Sequence, residues 1–274
     1  MMSKFRSLLS VLSILAIACA NDKGPSPEIQ FSKGDQPDQR FSLSVLRDNL
    51  KSHEISLFDV EYKKDKTYQA FLFNDVLDFA YGDLYKDGSW SSIAFTAIDG
   101  YKAVIDMEKF KEPEAYLVFR DNEYNNWEPI PNHGDDTVAP YYLLFTNPDK
   151  IPKKGFSWPW SITDINLVVL QDQYALSTPQ ESAPEEVLAG YKLFMTRCSS
   201  CHAISGEGGG IGPDLNKPQN ILNYRSEDMV RSFIVESSKF RVGKMPDFKD
   251  LSSDQVDILI DYLYYLKDVK LSDS

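Results

Sequence analysis

The stretch Cys198-Ser199-Ser200-Cys201-His202 constrains the fold and chemistry of this chain more than any other. Two thiols three residues apart, followed directly by an imidazole, form the attachment pattern of a c-type haem. The thiols can add to the two vinyl groups of the porphyrin, which holds the histidine close enough to bind the iron. We therefore predict one covalent haem c, attached through Cys198 and Cys201, with His202 as an axial ligand.

A Cys-x-x-Cys pair has two other common uses, a zinc site and a redox disulfide. A zinc site needs further ligands, and Cys19, His53 and His133 show no recognisable ligand spacing. A thioredoxin-like pair needs a βαβ context, whereas the flanks here predict a helix before the pair and a glycine loop after it. Both alternatives fit the sequence less well than haem.

Residues 1–19 have the pattern of an export signal. Lys4 and Arg6 precede an apolar run that is too short for a comfortable membrane span. The run ends in Ala16-Ile17-Ala18-Cys19, which resembles the lipobox of bacterial lipoproteins with its leucine displaced by one position. Simple cleavage at an Ala-x-Ala site is the alternative, and it would leave an exposed thiol. We predict lipidation of Cys19, and hence a membrane-anchored protein in the bacterial periplasm.

Length and charge bound the remaining possibilities. A chain of 274 residues exceeds one typical domain of about 100 to 200 residues, so two domains are expected. The net charge is -12, and most of the acidity lies before the last 91 residues. Such a surface argues against nucleic-acid binding and favours solubility or a basic partner.

The sequence predicts a multidomain chain in which a β-rich α+β domain precedes an all-α domain. Residues 20–39 and 176–184 lack an apolar period and are predicted as a flexible tether and an interdomain linker. Residues 40–175 contain short β-like runs separated by turns, which is typical of an α+β domain. In this domain we predict a helix over 75–81, a turn over 64–66, and strands over 57–62, 67–71, 93–97, 102–105, 116–120, 141–145 and 165–170.

The front domain resembles the domain of sulfite-oxidase-type molybdopterin proteins. The matching stretches are Lys66-Thr67-Tyr68, Phe71 to Leu77, Ala97 to Tyr101, Pro140 to Leu144 and Trp158 to Ile162. That family ligates molybdenum through a cysteine thiolate, and no cysteine lies between Cys19 and Cys198. The resemblance therefore implies a related fold without the metal. His53 and His133 are interpreted as surface or loop residues.

Residues 185–270 resemble the class I cytochromes c. A helix over 185–197 is predicted from its apolar period, and a C-terminal helix over 252–267 from the capping-box spacing of Ser252 and Gln255. By the resemblance, the two helices cross near Gly190 and Tyr262. An all-α cytochrome c fold is thus implied.

The resemblance also implies a hydrogen-bond partner for the iron-binding histidine. Gly212-Pro213-Asp214-Leu215 matches the family's loop on the histidine side, which implies that the Pro213 carbonyl accepts a hydrogen bond from His202. Possible partners for the haem propionates are Arg241, Lys244, Tyr224 and Arg225, and the sequence does not select among them.

The sixth iron ligand is expected from a methionine on the other face. Met195 and Met229 lie in predicted helices and are interpreted as core residues. Met245 precedes Pro246 in a loop that resembles the family's ligand loop, and a proline there stiffens the loop. We predict Met245 as the ligand, with a packed loop methionine as the alternative.

With both axial positions filled by protein, the iron has no open site for a substrate, so an electron carrier is expected rather than an enzyme. We predict a periplasm-facing monohaem cytochrome that passes single electrons between redox protein partners, with the front domain as a docking or spacer module. The alternative is an oxidoreductase subunit whose front domain binds a pterin or other small ligand and delivers electrons to the haem.

Overall fold

The computed structural model describes residues 26–33, 39–111, 114–146, 158–243 and 245–268. The predicted signal, Cys19, Lys244 and much of the predicted tether lie outside these ranges. Within them, no helix is both long enough and apolar enough to cross a membrane.

The front part of the chain is built mainly of strands. Its elements are β1 (Glu28–Lys33), β2 (Gln39–Ser42), α1 (Leu43–Asn49), β3 (Ser52–Asp59), β4 (Lys64–Leu72), α2 (Phe73–Tyr81), β5 (Ser92–Ala97), β6 (Lys102–Asp106), β7 (Ala115–Asp121), β8 (Tyr142–Phe145), β9 (Ile162–Val168) and α3 (Leu170–Gln173). The predicted β-rich α+β character is confirmed.

These strands form two sheets. One has the order β2-β1-β9-β5-β6, and the other has the order β3-β4-β7-β8. Neighbouring strands are antiparallel except β1 and β9, which are parallel. Side chains from both sheets, including Phe31, Phe95, Leu117 and Tyr142, belong to one buried cluster. Burial of this shared apolar surface holds the two sheets together.

Two predictions for the front domain were wrong. The segment predicted as a tether contains β1, where Ile29 and Phe31 alternate with polar residues and are buried against β9. The predicted turn over 64–66 is the start of β4, and the chain reverses earlier because Asp59 accepts backbone hydrogen bonds from Glu61 and Tyr62 at 2.8 and 3.1 Å. Two apolar residues are too few to reveal a strand by periodicity.

The helix predicted over 75–81 is confirmed and begins two residues earlier, at Phe73. The predicted hairpin of 93–97 with 102–105 is confirmed as β5 paired with β6. Its turn contains Gly100, whose φ of 88° is readily adopted only by glycine. This turn contacts the C-terminal part of the chain.

The C-terminal part is mainly helical. It comprises α4 (Glu185–Arg197), β10 (Ala203–Ile204), β11 (Glu207–Gly208), α5 (Glu227–Val235) and α6 (Ser253–Asp268). Helices α4 and α6 cross where a Cβ on Gly190 would collide with the carbonyl oxygen of Ile258 and crowd Tyr262. The predicted crossing at Gly190 is therefore present, and only glycine permits so close an approach.

The start of α6 has the reciprocal capping expected from the sequence. The Gln255 backbone N–H donates to the Ser252 hydroxyl at 3.2 Å, and the Ser252 backbone N–H donates to the Gln255 side chain at 3.0 Å. These bonds satisfy two donors that would otherwise lack partners at a helix start.

The segment predicted as an interdomain linker, residues 176–184, is hydrogen-bonded to the helical part. The backbone N–H groups of Leu176 and Ser177 donate to the Glu207 carboxylate at 2.9 and 2.8 Å. The hydroxyl of Tyr262 donates to the Ser177 carbonyl at 2.7 Å. A connection held by these bonds is not a freely flexible one.

Candidate functional site

A cavity of about 640 Å³ lies inside the helical part of the chain. This volume falls within the range of about 300 to 1,000 Å³ that is typical of ligand pockets. Its apolar wall is formed by Phe194, Leu215, Ile221, Val230, Phe233, Ile234, Phe240, Leu259 and Leu263. Cys198, His202, Pro213 and Met245 also line it. The cavity thus unites four of the five residues predicted to bind the cofactor.

The attachment motif forms a compact turn at the end of α4. The Cys198 N–H donates to the Phe194 carbonyl at 2.8 Å and so extends the helix by one bond. The N–H groups of Cys201 and His202 then both donate to the Cys198 carbonyl, at 3.0 and 2.9 Å. Because these bonds close the turn, the two thiols and the imidazole are held by one rigid piece of backbone.

Both thiols of the motif are free cysteines. Burial raises the pKa of the Cys198 thiol to about 12. Burial also raises the pKa of the Cys201 thiol, and the nearby Asp99 carboxylate raises it further. Both shifts disfavour the thiolate, and the Asp99 carboxylate that contributes to the second belongs to the front domain.

His202 is oriented by the loop that follows the motif. Its Nδ1 donates to the Pro213 carbonyl at 2.9 Å, so the predicted hydrogen bond is present. Burial lowers the pKa of His202, while the hydrogen bond to Pro213 opposes this. A neutral imidazole with Nδ1 engaged keeps Nε2 as the nitrogen that can bind a metal.

Asp214 shapes the loop that carries Pro213, and the sequence analysis missed this role. Its carboxylate accepts backbone N–H groups from Ser205 at 3.1 Å, Gly206 at 2.6 Å, Asn216 at 2.8 Å and Lys217 at 2.9 Å. An Asp directly after a Pro, with an Asn two residues later, is typical of a turn, and this was the available signal. The Asp214 carboxylate thereby ties the loop to the backbone just after the attachment turn.

The three candidate methionines separate into two groups. Met195 packs against the helical core and does not line the cavity. Met229 and Met245 both line the cavity. The interpretation of Met229 as a core residue is wrong, because 44% of its surface is exposed. The Met245 carbonyl accepts the Ser237 hydroxyl at 2.7 Å, which anchors the backbone of its loop.

Cationic and hydroxyl groups also lie on the cavity wall. Tyr224, Arg225 and Arg241 line it, whereas Lys244 is outside the described residues. The Arg241 guanidinium lies 5.3 Å from the centre of the Phe233 ring. These groups could neutralise carboxylates of a ligand whose main body is apolar.

The residues present fit a covalently attached haem. The cavity walls are mainly apolar, and the thiols of Cys198 and Cys201 belong to one short turn. The imidazole of His202, oriented by Pro213, and the thioether of Met245 line the same cavity. Imidazole and thioether are the axial ligands of many electron-transfer haems. In addition, a Cβ on Gly212 would collide with the His202 ring, so the loop is shaped closely around this imidazole.

The front domain contains a smaller cleft of about 260 Å³. It is lined by Ile98, Thr137, Ala139, Trp160, Ser161 and three carboxylates, Asp99, Asp135 and Asp136. The front-domain imidazoles pack edge-on against aromatic rings. The ring centroids of His53 and Tyr116 are 6.0 Å apart, and those of His133 and Trp160 are 6.1 Å apart. Three carboxylates make the cleft unfavourable for an anionic pterin.

Residues 187–267 match the family model described as cytochrome c. The matched range contains the attachment motif, Pro213 and the three candidate methionines, and it runs from α4 to α6. A search of curated proteins found no significant match to the chain.

Proposed function

Because residues 187–267 form a cytochrome c domain, which binds haem c covalently, we propose that this chain is a monohaem cytochrome that carries single electrons between redox protein partners. The observation that supports this most is that His202 and Met245 line one cavity whose walls are otherwise mainly apolar. Haem c supplies a one-electron couple when it is bound.

Each residue of the site has a distinct role in this proposal. Cys198 and Cys201 would hold the haem through thioether bonds, and His202 would bind the iron through its Nε2 atom. The Pro213 carbonyl fixes the ring of His202 through their 2.9 Å hydrogen bond and raises its basicity. Met245 would bind the iron through its thioether, a ligand that favours the reduced state.

The same arrangement favours a carrier over an enzyme. His202 and Met245 would both bind the iron, which would leave no iron position for a substrate. The mainly apolar wall would lower the cost of keeping the less charged, reduced state. Bound in this way, the haem would supply a one-electron couple and no substrate-binding position at the iron.

We propose that the front domain is a fold relative of sulfite-oxidase-type domains that serves as a docking or spacer module. The residues 97–101 and 140–144 that carry the resemblance lie at the β5–β6 turn and at β8. The absence of a cysteine between Cys19 and Cys198 removes the usual molybdenum ligand. The alternative, a pterin-binding domain that feeds electrons to the haem, is disfavoured by the acidic cleft described above.

Metal analysis and redox titration of the purified full-length protein test this proposal together. A carrier should contain about one iron per chain and no molybdenum, and its optical titration should follow a single one-electron curve. Stoichiometric molybdenum would instead support the oxidoreductase. A haem that fails to cycle reversibly between its two oxidation states would contradict the carrier function.

We also propose that the protein is exported to the bacterial periplasm and anchored there by lipid on Cys19. The support is the basic and apolar pattern of residues 1–19 and the lipobox-like sequence that ends in Cys19. Cys19→Ser should release the protein into the soluble periplasmic fraction while leaving the haem spectrum intact. An unmodified mature N-terminus in mass spectra of the native protein would rule the anchor out.

A further inference from the structure

The turn between β5 and β6 lies against the haem attachment turn. The Lys102 N–H donates to the Ser200 carbonyl at 3.0 Å, and Ser200 stands between the two cysteines. In return, the Gly210 N–H donates to the Gly100 carbonyl at 2.8 Å. The front domain is therefore hydrogen-bonded to the attachment turn on one side and to the glycine loop on the other.

The fit at this contact is close. A Cβ on Gly100 would lie 3.2 Å from the carbonyl carbon of Gly210, tighter than an ordinary van der Waals contact. Asp99, the preceding residue, accepts the Tyr101 N–H at 3.0 Å, which fixes the shape of the turn. The turn thus packs closely against the glycine loop that follows the attachment motif.

The body of the front domain supports this turn from behind. The Ile98 N–H donates to the Ser161 carbonyl at 2.9 Å, and the Ala97 N–H donates to the Tyr101 carbonyl at 2.9 Å. Ser161 directly precedes β9, the neighbour of β5. A macromolecule could not displace the turn without breaking bonds to the five-stranded sheet.

A second set of bonds fastens the two parts together. Glu207, in the same loop as Gly210, accepts the N–H groups of Leu176 and Ser177. Gln180 N–H donates to the Tyr265 hydroxyl at 3.2 Å, and the Thr178 and Tyr191 hydroxyls are 2.9 Å apart. The segment between the two parts is therefore held along its length, which favours a fixed contact over a swinging tether.

We propose that residues 98–102 form a fixed cap beside the attachment turn, over the haem edge that carries the thioether bonds, and that this cap keeps redox partners away from that edge. The inference rests on the proposed function, because both thioether bonds join the attachment turn to one edge of the porphyrin. Electron exchange with proteins is then confined to the rest of the haem perimeter. The front domain acts as a selector of the docking face rather than as a spacer.

Substitution of Gly100 tests the cap in the full-length holoprotein. Gly100→Val places a branched side chain against Gly210 and should lift the turn, while Gly100→Ala requires only a small shift. Gly88→Val and Gly88→Ala are matched controls, because Gly88 has a similar φ of 83° but nothing within 4 Å of its Cβ position. The backbone strain is therefore similar, and only the contact with Gly210 differs. If the valine variant fails to fold, the alanine pair carries the test.

Two measurements are made on each variant once its covalent haem spectrum is recorded. Hydrogen–deuterium exchange of the Lys102 and Gly210 amides reports whether the turn is docked. The second-order rate constant for reduction of the ferric haem by free reduced flavin mononucleotide reports access to the haem edge. We expect both quantities to rise several-fold in the Gly100 variants and to stay at the wild-type value in the Gly88 variants.

Two results would overturn the cap. Amide exchange at Lys102 and Gly210 that is already as fast in the wild type as in the Gly100 variants would show that the turn is not docked. Faster exchange in the Gly100 variants with an unchanged reduction rate would show that the turn does not limit access. Both results leave the carrier function intact, whereas a wild-type protein without covalent haem would fail the proposed function instead.

Discussion

The Nδ1 atom of His202 lies 2.9 Å from the carbonyl oxygen of Pro213, and this contact decides which ring nitrogen faces the cavity. The position of Pro213 depends in turn on Gly212, whose N–H donates to the Cys201 carbonyl at 2.7 Å. One short loop therefore packs against the imidazole, hydrogen-bonds to it and returns to the attachment turn. The orientation of His202, the proposed iron ligand, is therefore set by this loop.

Gly212→Ala should disturb the iron site strongly, because the new Cβ would collide with the His202 ring. Loss of such an orienting contact typically costs about 10- to 100-fold in metal affinity or activity. We expect a much lower yield of correctly ligated haem, measured as the haem-to-protein absorbance ratio. Gly210→Ala is the control, since its Cβ would make only ordinary contacts of 3.8 Å or more. Equal haem content in the two variants would contradict the role of the loop.

Covalent attachment predicts that haem stays with the polypeptide after denaturation and acid-organic extraction. Cys198→Ser and Cys201→Ser should each retain haem through one thioether bond, and the double variant should release all of it. Cys19→Ser should behave like the wild type, because that cysteine is not in the motif. Extraction of all the haem from correctly matured wild-type protein would exclude the c-type assignment.

The helical domain could be predicted in detail because its determinants are local. The attachment motif, the capping box of Ser252 and the apolar periods of α4 and α6 each lie within a few turns of sequence. Gly190 at the helix crossing follows from the resemblance to class I cytochromes c, and the structure agrees. The sequence favoured Met245 over Met229 partly because Met229 was assigned to the core, and that reason fails because Met229 is exposed and lines the same cavity as Met245.

The front domain was predicted less well because its determinants are far apart in sequence. β1 lies between β2 and β9, and β9 is more than 130 residues later in the sequence. Lys66 looks like a turn residue, yet its ammonium is fully buried between Asp121 at 2.7 Å and Glu128 at 2.6 Å. The contact of Gly100 with Gly210 has no local sequence signal at all. Such pairings become visible only when the chain is folded.

Lys66→Ala should destabilise the front domain substantially. It would leave the buried Asp121 carboxylate without its cation, and breaking a buried pair in this way typically costs about 3 to 5 kcal/mol. Lys64→Ala is the control, because the Lys64 side chain is 45% exposed and such pairs contribute about 1 kcal/mol or less. Urea unfolding, followed by tryptophan fluorescence, measures the stability of the front domain in both variants, because the four tryptophans lie within residues 90–160. Equal midpoints would contradict this account of the cluster.

Glu128 should make the stability of the front domain sensitive to acid. Burial alone would raise the pKa of Glu128, but hydrogen bonds from Lys64 and Lys66 hold it below the ordinary value of 4.5. A lowered folded pKa means that the stabilisation is complete above pH 4.5 and is lost as the pH falls through the folded value. Urea midpoints should therefore fall below about pH 5 in the wild type and fall less in Glu128→Gln.

The exposed pair of Glu108 with Lys111 gives a control for this acid sensitivity. The Glu108 side chain is 71% exposed, so solvent screens the pair. Glu108→Gln should keep the wild-type dependence of the urea midpoint on pH. A Glu128→Gln protein with the same acid dependence as the wild type would show that Glu128 is not the responsible group.

Carbon monoxide binding by the ferrous protein tests the central claim, a closed iron site in an electron carrier, most directly. If Met245 is the sixth ligand, the wild type should bind carbon monoxide poorly at neutral pH and show the weak red band of thioether-bound ferric haem. Met245→Ala should lose that band and bind carbon monoxide readily, whereas Met229→Leu and Met195→Leu should match the wild type. Full binding by the wild type, or loss of the band in Met229→Leu but not in Met245→Ala, would contradict the account.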